Sequence, residues 1–501
     1  MTFDRPSYSL RAALLGAVAL AALGGVAFET SVIPVSAAAT TAQPAAGPAS
    51  FADVVDRVRP AVVSVKVKLA DADTVDDEDS QGTPGLPDIP KNSPFYHFFR
   101  HFGMPDDNNN NDGDRMPHHH FGQAQGSGFF ISSDGYIVTN DHVVDHATEV
   151  TITTSDGKSM PAKVIGVDSK TDLALLKAQG SDFPYVSFAS QAPRVGDWVI
   201  AVGNPFGLGG TVTAGIVSAR GRDIGSGPYD DFLQIDAPVN HGNSGGPTFN
   251  AQGEVVGVNT AIFSPSGGSV GIGFAIASDV VKNVVQQLKD SGAVTRGWIG
   301  VQIQNVTPDL ADNLGLKSES GALVAEATKD SPAAAAGVKS GDVITAVDGD
   351  AVSDPHDLAR RIAALGPKKT AKLSIVRNGS PMTIDVTLGT MPADKTASAE
   401  THNSDNNNSA PSMFAKLGLK LSTAHGQDGV VVSDVDPDGA AAEKGLKDGD
   451  VILEVAGKSV SRPSEVADAI DAAKSDGKKS VLLRVKSGDG EHFLTLPTRA
   501  S

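Results

Sequence analysis

The chain has no cysteine in its 501 residues. That removes disulfide-stapled scaffolds, thiol nucleophiles, Cys-ligated zinc and cysteine-held iron–sulfur clusters together. Positive charge is also in deficit: 41 Lys+Arg stand against 59 Asp+Glu, a formal charge of -18. Such a chain offers no net counter-charge to nucleic acid or to an anionic membrane. A long hydrophobic span is missing too. The uncharged run Ala12 to Phe28 falls short of the roughly 20 residues that cross a bilayer as a helix. Arg5 and Arg11 precede it and the small residues around Val35-Ser36-Ala37 follow it, the pattern of a secretory signal peptide over 1–37. An uncleaved anchor is the alternative. The expected compartment is the periplasm, with membrane association allowed but not intrinsic. An exported chain without cysteine must hold its domains together by burial alone.

The length exceeds what one hydrophobic core fills, so two to four domains are expected. Residues 38–50 are Ala/Thr/Pro-rich and read as a linker. From Phe51 to Arg59 the pattern is helical, and Ala61 to Leu69 alternates as a strand. Residues 70–122 then lose periodicity, with acids between Asp71 and Asp79, Asn108 to Asn111, and His118 to His120. One apolar knot, Phe95 to Phe102, sits inside that stretch. An insertion of this length is either functional or disordered. From Gly126 to about Leu288 short strands follow one another between Gly, Asp and Asn turns, which predicts an all-β barrel or sandwich. Ser278 to Leu288 reads as a closing helix capped by Ser278 or Asp279.

Beyond Arg296 the chain repeats itself. Ala336-Gly-Val-Lys-Ser-Gly-Asp-Val-Ile-Thr-Ala-Val-Asp-Gly349 matches Lys444-Gly-Leu-Lys-Asp-Gly-Asp-Val-Ile-Leu-Glu-Val-Ala-Gly457. Each copy is followed by a helical stretch, Asp354–Leu365 and Pro463–Lys474, and Asn/Ser-rich residues near 391–412 separate them. Two similar domains are expected, not a solenoid.

Three segments of the β region carry chemistry: Thr139-Asn-Asp-His142-Val-Val, Asp172-Leu-Ala-Leu-Leu176, and Gly242-Asn-Ser244-Gly-Gly-Pro247. Acyl transfer needs a base for a hydroxyl proton, an acid to orient that base, and N–H donors for the oxyanion. Each segment alone has an ordinary reading as a turn. His, Asp and Ser in this order within one β domain point to a serine hydrolase.

These segments resemble those of the Do-like (HtrA) family of serine proteases. Ile200-Ala-Val-Gly-Asn-Pro-Phe-Gly207, Gly215-Ile-Val-Ser218 and Gly271-Ile-Gly-Phe-Ala-Ile276 resemble that family's connecting motifs, and the Gly-Asp-Val-Ile repeats resemble its two PDZ domains. The resemblance implies a mostly β fold: a chymotrypsin-like double β-barrel at 51–290, a long oligomer-contact loop at 70–122, and PDZ domains at 296–390 and 413–499. It implies ATP-independent cleavage of misfolded or unfolded envelope proteins, chaperone-like binding, and homo-trimers that build larger assemblies. A dead protease fold acting as chaperone and a protease dedicated to one signalling factor are the competing readings.

By position, Ser244 would be the nucleophile, His142 the base and acid, and Asp172 the orienter. Gly242, Asn243 and Ser244 would form the oxyanion hole. Arg222 takes the place of the family's activation-sensor arginine, and His241 stands where many members carry Arg. The pocket floor before the nucleophile falls at Pro238 and Val239. With no acid there, a Lys or Arg side chain would be buried unpaired, so small or medium aliphatic P1 residues are expected. Thr260, Ala261, Ile262 and Phe263 offer a strand edge to substrate backbone. Trp298, Ile299, Gly300 and Val301, and in the second copy Leu417-Gly418-Leu419, map to the loop that receives a free C-terminus. Phe95, Phe98, Phe99 and Phe102 stand in the place of the family's oligomer-contact loop and are expected to reach a neighbouring subunit, with packing on their own domain as the alternative. No cofactor and no specific metal site are expected; the His97, His101 and His118–His120 group is treated as incidental.

Overall fold

The computed structural model describes residues 50–69, 123–207, 209–240, 242–264, 268–392, 414–424, 428–488 and 490–498. The signal peptide, most of both linkers, the 70–122 insertion with its aromatic knot and His tract, and His241 lie outside the described residues.

Helix α1 (Ala52–Val58) leads through a short turn into β1 (Val62–Leu69). With β2 (Gln123–Phe130), β3 (Tyr136–Thr139), β4 (Ala147–Thr153), β5 (Ser159–Asp168) and β6 (Leu173–Ala178) it forms a closed barrel, ordered β1-β2-β3-β6-β5-β4. The alternation in β1 explains the closure. Val63, Val65 and Val67 point inward onto Phe130, Ile137, Ile152 and Leu176, while Lys66 and Lys68 stay exposed. Val62 faces the other way and joins the core of the second barrel. One strand thus carries the inner wall of one barrel and part of the seam to the next.

The second barrel holds β7 (Trp198–Gly203), β8 (Thr211–Arg222), β9 (Phe232–Ile235), β10 (Pro247–Asn250), β11 (Val255–Ile262) and β12 (Gly273–Ala277), ordered β10-β11-β12-β9-β8-β7. All eight residues of β11 are buried, as a strand covered on both faces requires. Helix α3 (Ser278–Ser291) closes the domain through Val281, Val284, Val285 and Leu288, one face at helical spacing. It ends at Gly292, whose φ of 74° suits a left-handed cap. Its N-cap is Ala277, not Ser278 or Asp279, because β12 runs straight into the helix and makes them first-turn residues.

Two α+β modules follow. The first orders Val301–Asn305, Ala322–Ala327, Val343–Val347, Thr370–Arg377 and Ser380–Thr387 in one sheet; the second repeats this with Leu419–Thr423, Val430–Val435, Val451–Val455, Ser480–Ser487 and Gly490–Pro497. The repeated Gly-Asp is a turn lock. Val324 N–H donates to Asp342 O at 2.8 Å and Gly341 N–H to Val324 O at 2.9 Å; Val432 to Asp450 at 2.7 Å and Gly449 to Val432 at 2.8 Å reproduce this in the second copy. The carboxylates of Asp342 and Asp450 receive the N–H groups of Lys339 and Lys447 at 2.8 and 2.9 Å. The turn, more than the strands around it, explains the shared sequence.

The modules dock through specific groups. Arg296, between α3 and the first module, makes a bidentate pair with Asp168 at 2.8 and 2.6 Å. Its guanidinium also lies 4.6 Å from the Tyr229 ring centroid. From helix Pro355–Leu365, Arg360 donates to the Asp230 carbonyl at 2.7 Å, and His356 meets Asp223 at 2.9 Å. Between the modules, Phe493 packs among Val306, Leu310, Leu323 and Val343. The Gln304 amide bonds both backbone groups of Phe493, at 2.8 and 2.7 Å, as a neighbouring strand would.

Candidate active site

The barrels bring the three segments to their seam. Helix α2 (Asp141–Val144) is one turn anchored by buried Val143 and Val144, which sets His142 beside the turn before β6. His142 Nδ1 lies 2.9 and 2.8 Å from the two Asp172 oxygens, and its backbone N–H donates to Oδ1 at 3.1 Å. Asp172 takes a positive φ of 54°, which Asp tolerates better than most residues. Asn140 Nδ2 holds the Asp172 carbonyl at 2.7 Å, and the Thr260 hydroxyl donates to Asp172 Oδ2. With the imidazole proton on Nδ1 facing a carboxylate, Nε2 is the basic nitrogen.

Ser244 is fully buried, and its hydroxyl donates to the Thr260 carbonyl at 3.3 Å. Thr260 therefore touches two of the three groups, its side chain on Asp172 and its carbonyl on Ser244. The loop around the serine is wound tightly. Gly242 and Gly245 have φ of 88° and 81°, and a Cβ on Gly245 would stand 2.2 Å from the Ser127 carbonyl oxygen. Within the loop Asn243 N–H donates to Asn240 O at 3.0 Å and Gly246 N–H to Asn243 O at 2.9 Å, and Gly245 N–H ties the loop to β11 at Asn259 O, 2.8 Å away. Asn243 itself is buried.

The remaining expected residues are spread over the second barrel and the two C-terminal modules. Val239 is fully buried in the second barrel's core, against Gly273. Thr260, Ala261 and Ile262 close β11, where β10 pairs only as far as Val258. Phe263 follows, its N–H on Ile272 O at 3.0 Å. Arg222 ends β8 with an exposed side chain bonded to Gln234 at 2.9 Å. The segment beyond it shares a cavity of about 20 Å³ with Asp172, Thr171 and Thr260 through Ile224, Ser226, Tyr229 and Asp230. Trp298, Ile299, Gly300 and Val301 lie far along the chain, in the first C-terminal module, where Gly300 has a φ of 73°. Thr328 and Ala333 donate to the carbonyls of Gly300 and Ile299 at 2.9 and 2.8 Å. Asp436 repeats the first of these on Gly418 in the second module at 2.8 Å. Among the described residues no group of three or more His, Asp or Glu could hold a metal, and no helix is long and apolar enough to cross a membrane.

Sequence reasoning missed Ser127, Asn140 and the hydroxyl role of Thr260. Asn140 stood inside the quoted His segment. Ser127 carried a faint signal, a serine between two glycines in a strand.

Two acids near the site are held well above the ordinary carboxylate range. Burial, then the charge of Asp172 beside it, pushes Asp141 up to about 7. Burial likewise raises Asp230 to about 6, against the N–H groups of Ile224 and Ser226 that favour its charge. A carboxyl that binds its proton more tightly folded than unfolded loses stability as pH rises between the two values, here from 3.8 to about 7, and levels off above. Asp141→Asn is therefore expected to raise the thermal midpoint at pH 8 and give no gain at pH 4. Calorimetry at the two pH values checks this; an equal shift at both would contradict it.

A His–Asp pair and a Ser in a glycine-rich loop at the seam of two six-stranded barrels, followed by two repeated α+β modules, define the class as a serine endopeptidase with two C-terminal modules. Residues 126–258 match the model of the trypsin-like peptidase domain, and residues 297–388 and 431–486 each match a PDZ domain model. The chain is 50% identical over 501 residues to a probable periplasmic serine endoprotease DegP-like of Brucella suis biovar 1 (strain 1330), covering 98% of this chain and 96% of that one. It is 50% identical over 464 residues to the protein of the same description from Rhizobium meliloti (strain 1021), covering 89% and 92%. Among solved structures, HtrA-type protease AlgW with decapeptide is similar at 35% identity and a TM-score of 0.54, over 69% of this chain and all of that one. The chain belongs to the DegP-like, HtrA-type family of periplasmic serine endoproteases.

Proposed function

We propose that Ser244, His142 and Asp172 carry the peptidase reaction, and that its substrates are unfolded or misfolded proteins of the periplasm. The observation that carries the assignment is the double contact of the His142 imidazole with the Asp172 carboxylate, tied to Ser244 through Thr260. Ser244 Oγ attacks the scissile carbonyl while His142 Nε2 takes its proton, and Asp172 stays ionised and stabilises the imidazolium. The N–H groups of Gly242 and Ser244, with Asn243 beside them, receive the oxyanion. His142 returns the proton to the leaving amine, and water releases the acyl group by the same steps. Turnover is ATP-independent, as membership of this family implies.

Substrate backbone adds to β11 at Thr260 to Phe263, so an extended chain is selected over a folded one. Val239 makes the pocket floor apolar and favours Val or Ala at P1. The loops Trp298–Val301 and Leu417–Leu419 bind free C-termini, and Arg222 with the segment beyond it passes that occupancy to Asp172. Decapeptide binding in the AlgW structure supports a peptide ligand for this chain. Chaperone-like retention of unfolded chains and assembly into trimers and larger oligomers complete the reading, with residues 1–37 directing export. Digestion of a peptide library is expected to show internal cleavage after Val and Ala, and none with Ser244→Ala. Cleavage after Lys or Arg would contradict the pocket, and residual cleavage by Ser244→Ala the nucleophile.

A further inference from the structure

Ser127 lies in β2, in the first barrel, and its side chain is fully buried. Every hydrogen-bonding group it owns is engaged, and the partners come from three segments of the site. Its hydroxyl donates to the Gly242 carbonyl at 2.6 Å and accepts from Asn204 N–H, just after β7, at 2.8 Å. Its N–H donates to the Ser244 carbonyl at 2.9 Å. Its carbonyl accepts from the Thr139 hydroxyl, at the end of the strand leading to His142, at 2.7 Å. One side chain of the first barrel therefore holds the loop of the second.

The contact with Gly242 has a particular consequence. The peptide unit after Gly242 is fixed at both ends, its carbonyl by Ser127 and its N–H, which belongs to Asn243, by Asn240 O at 3.0 Å. Gly242 itself is the free joint: φ is 88° and there is no side chain to resist rotation. Without the Ser127 hydroxyl a buried carbonyl loses its donor, and the joint can turn to find another. The peptide unit then swings about Gly242, and Asn243 and the backbone of Ser244 that follow it shift as well. We infer that Ser127 is a positioning residue of the peptidase, whose hydroxyl, by pinning the Gly242 carbonyl, holds the backbone that leads into Ser244 and so the placement of the Ser244 N–H. The inference rests on the assignment of that N–H to the oxyanion. The close fit of β2 to the loop agrees, since a Cβ on Gly126 would meet Val143 at 2.7 Å and the Ser244 carbonyl oxygen at 3.1 Å.

An oxyanion donor acts on the tetrahedral state and not on bound substrate. Ser127→Ala should therefore lower kcat by about 10- to 100-fold on a fluorogenic peptide, with KM within about twofold. Affinity for a peptidyl boronic acid, whose boronate oxygen takes the oxyanion position, should fall by a similar factor. Concentrations are set by circular dichroism of the folded protein at each temperature, so a purely structural serine would lower the thermal midpoint and leave kcat per folded molecule unchanged. Ser127→Cys, similar in size but a poor donor, should lose kcat in the same direction and serves where the Ala variant does not fold. A folded variant of either kind with wild-type kcat and wild-type boronate affinity overturns the inference. Ser244→Ala is run alongside. Its inactivity with an active Ser127→Ala rejects the role of Ser127 alone, whereas an active Ser244→Ala rejects the assignment of the site beneath it.

Discussion

Asp172→Asn should lower kcat by about 10,000-fold and leave KM nearly unchanged. The amide is the same size as the carboxylate, so the fold and the Thr260 contact survive. The protonation logic does not. In the native site both Asp172 oxygens accept, one or both from His142 Nδ1 and one from the Thr260 hydroxyl. An amide has only one accepting oxygen. If the Thr260 hydroxyl keeps it, the NH₂ group faces Nδ1 and forces the imidazole proton onto Nε2, where a base is needed. The loss is thus in the chemical step, and steady-state kinetics on a fluorogenic peptide separates it from weaker binding. A variant with normal kcat and raised KM would mean that Asp172 shapes the substrate site instead.

Arg296→Ala is expected to cost about 3–5 kcal/mol of stability, because it strands a buried carboxylate. The side chains of Arg296 and Asp168 are only 10% and 6% exposed. Asp168 also receives the Thr171 hydroxyl, one residue before Asp172, so the turn that carries Asp172 leans on the pair. Activity should fall along with stability. The exposed pair Arg194–Asp197, with 84% and 36% of its side chains exposed, is the internal contrast: Arg194→Ala should change stability by less than about 1 kcal/mol. Denaturant titration of the three proteins measures both effects. Equal losses from the buried and exposed pairs would contradict the burial argument. Replacing both Arg296 and Asp168 by apolar residues should recover most of the stability lost in the single variant, since no unpaired charge then remains.

Chemistry set by adjacent residues was legible in the sequence, and chemistry set by distant contacts was not. His142, Asp172 and Ser244 stand in short segments whose neighbours already declare a turn, a strand start and a glycine-rich loop. Thr260 bonds Asp172 across 88 residues and Ser127 bonds Gly242 across 115, and nothing local marks either hydroxyl. The repeats announced themselves because Gly-Asp locks a turn from within the repeat. Docking of the two modules through Phe493 and Gln304, by contrast, depends on surfaces that meet only after both have folded. The start of α3 shows the same limit at small scale. Ser and Asp are good caps by preference, but where β12 ends decides that Ala277 occupies that position.

The most direct test of the account is degradation of β-casein by the purified wild-type protein and by Ser244→Ala, each with and without a peptide bearing a free apolar C-terminus. The account predicts cleavage by wild type, more of it with the peptide, and none by Ser244→Ala under either condition. Failure of wild type to cleave under any condition, with casein still bound, would contradict it and leave a chaperone built on a peptidase fold.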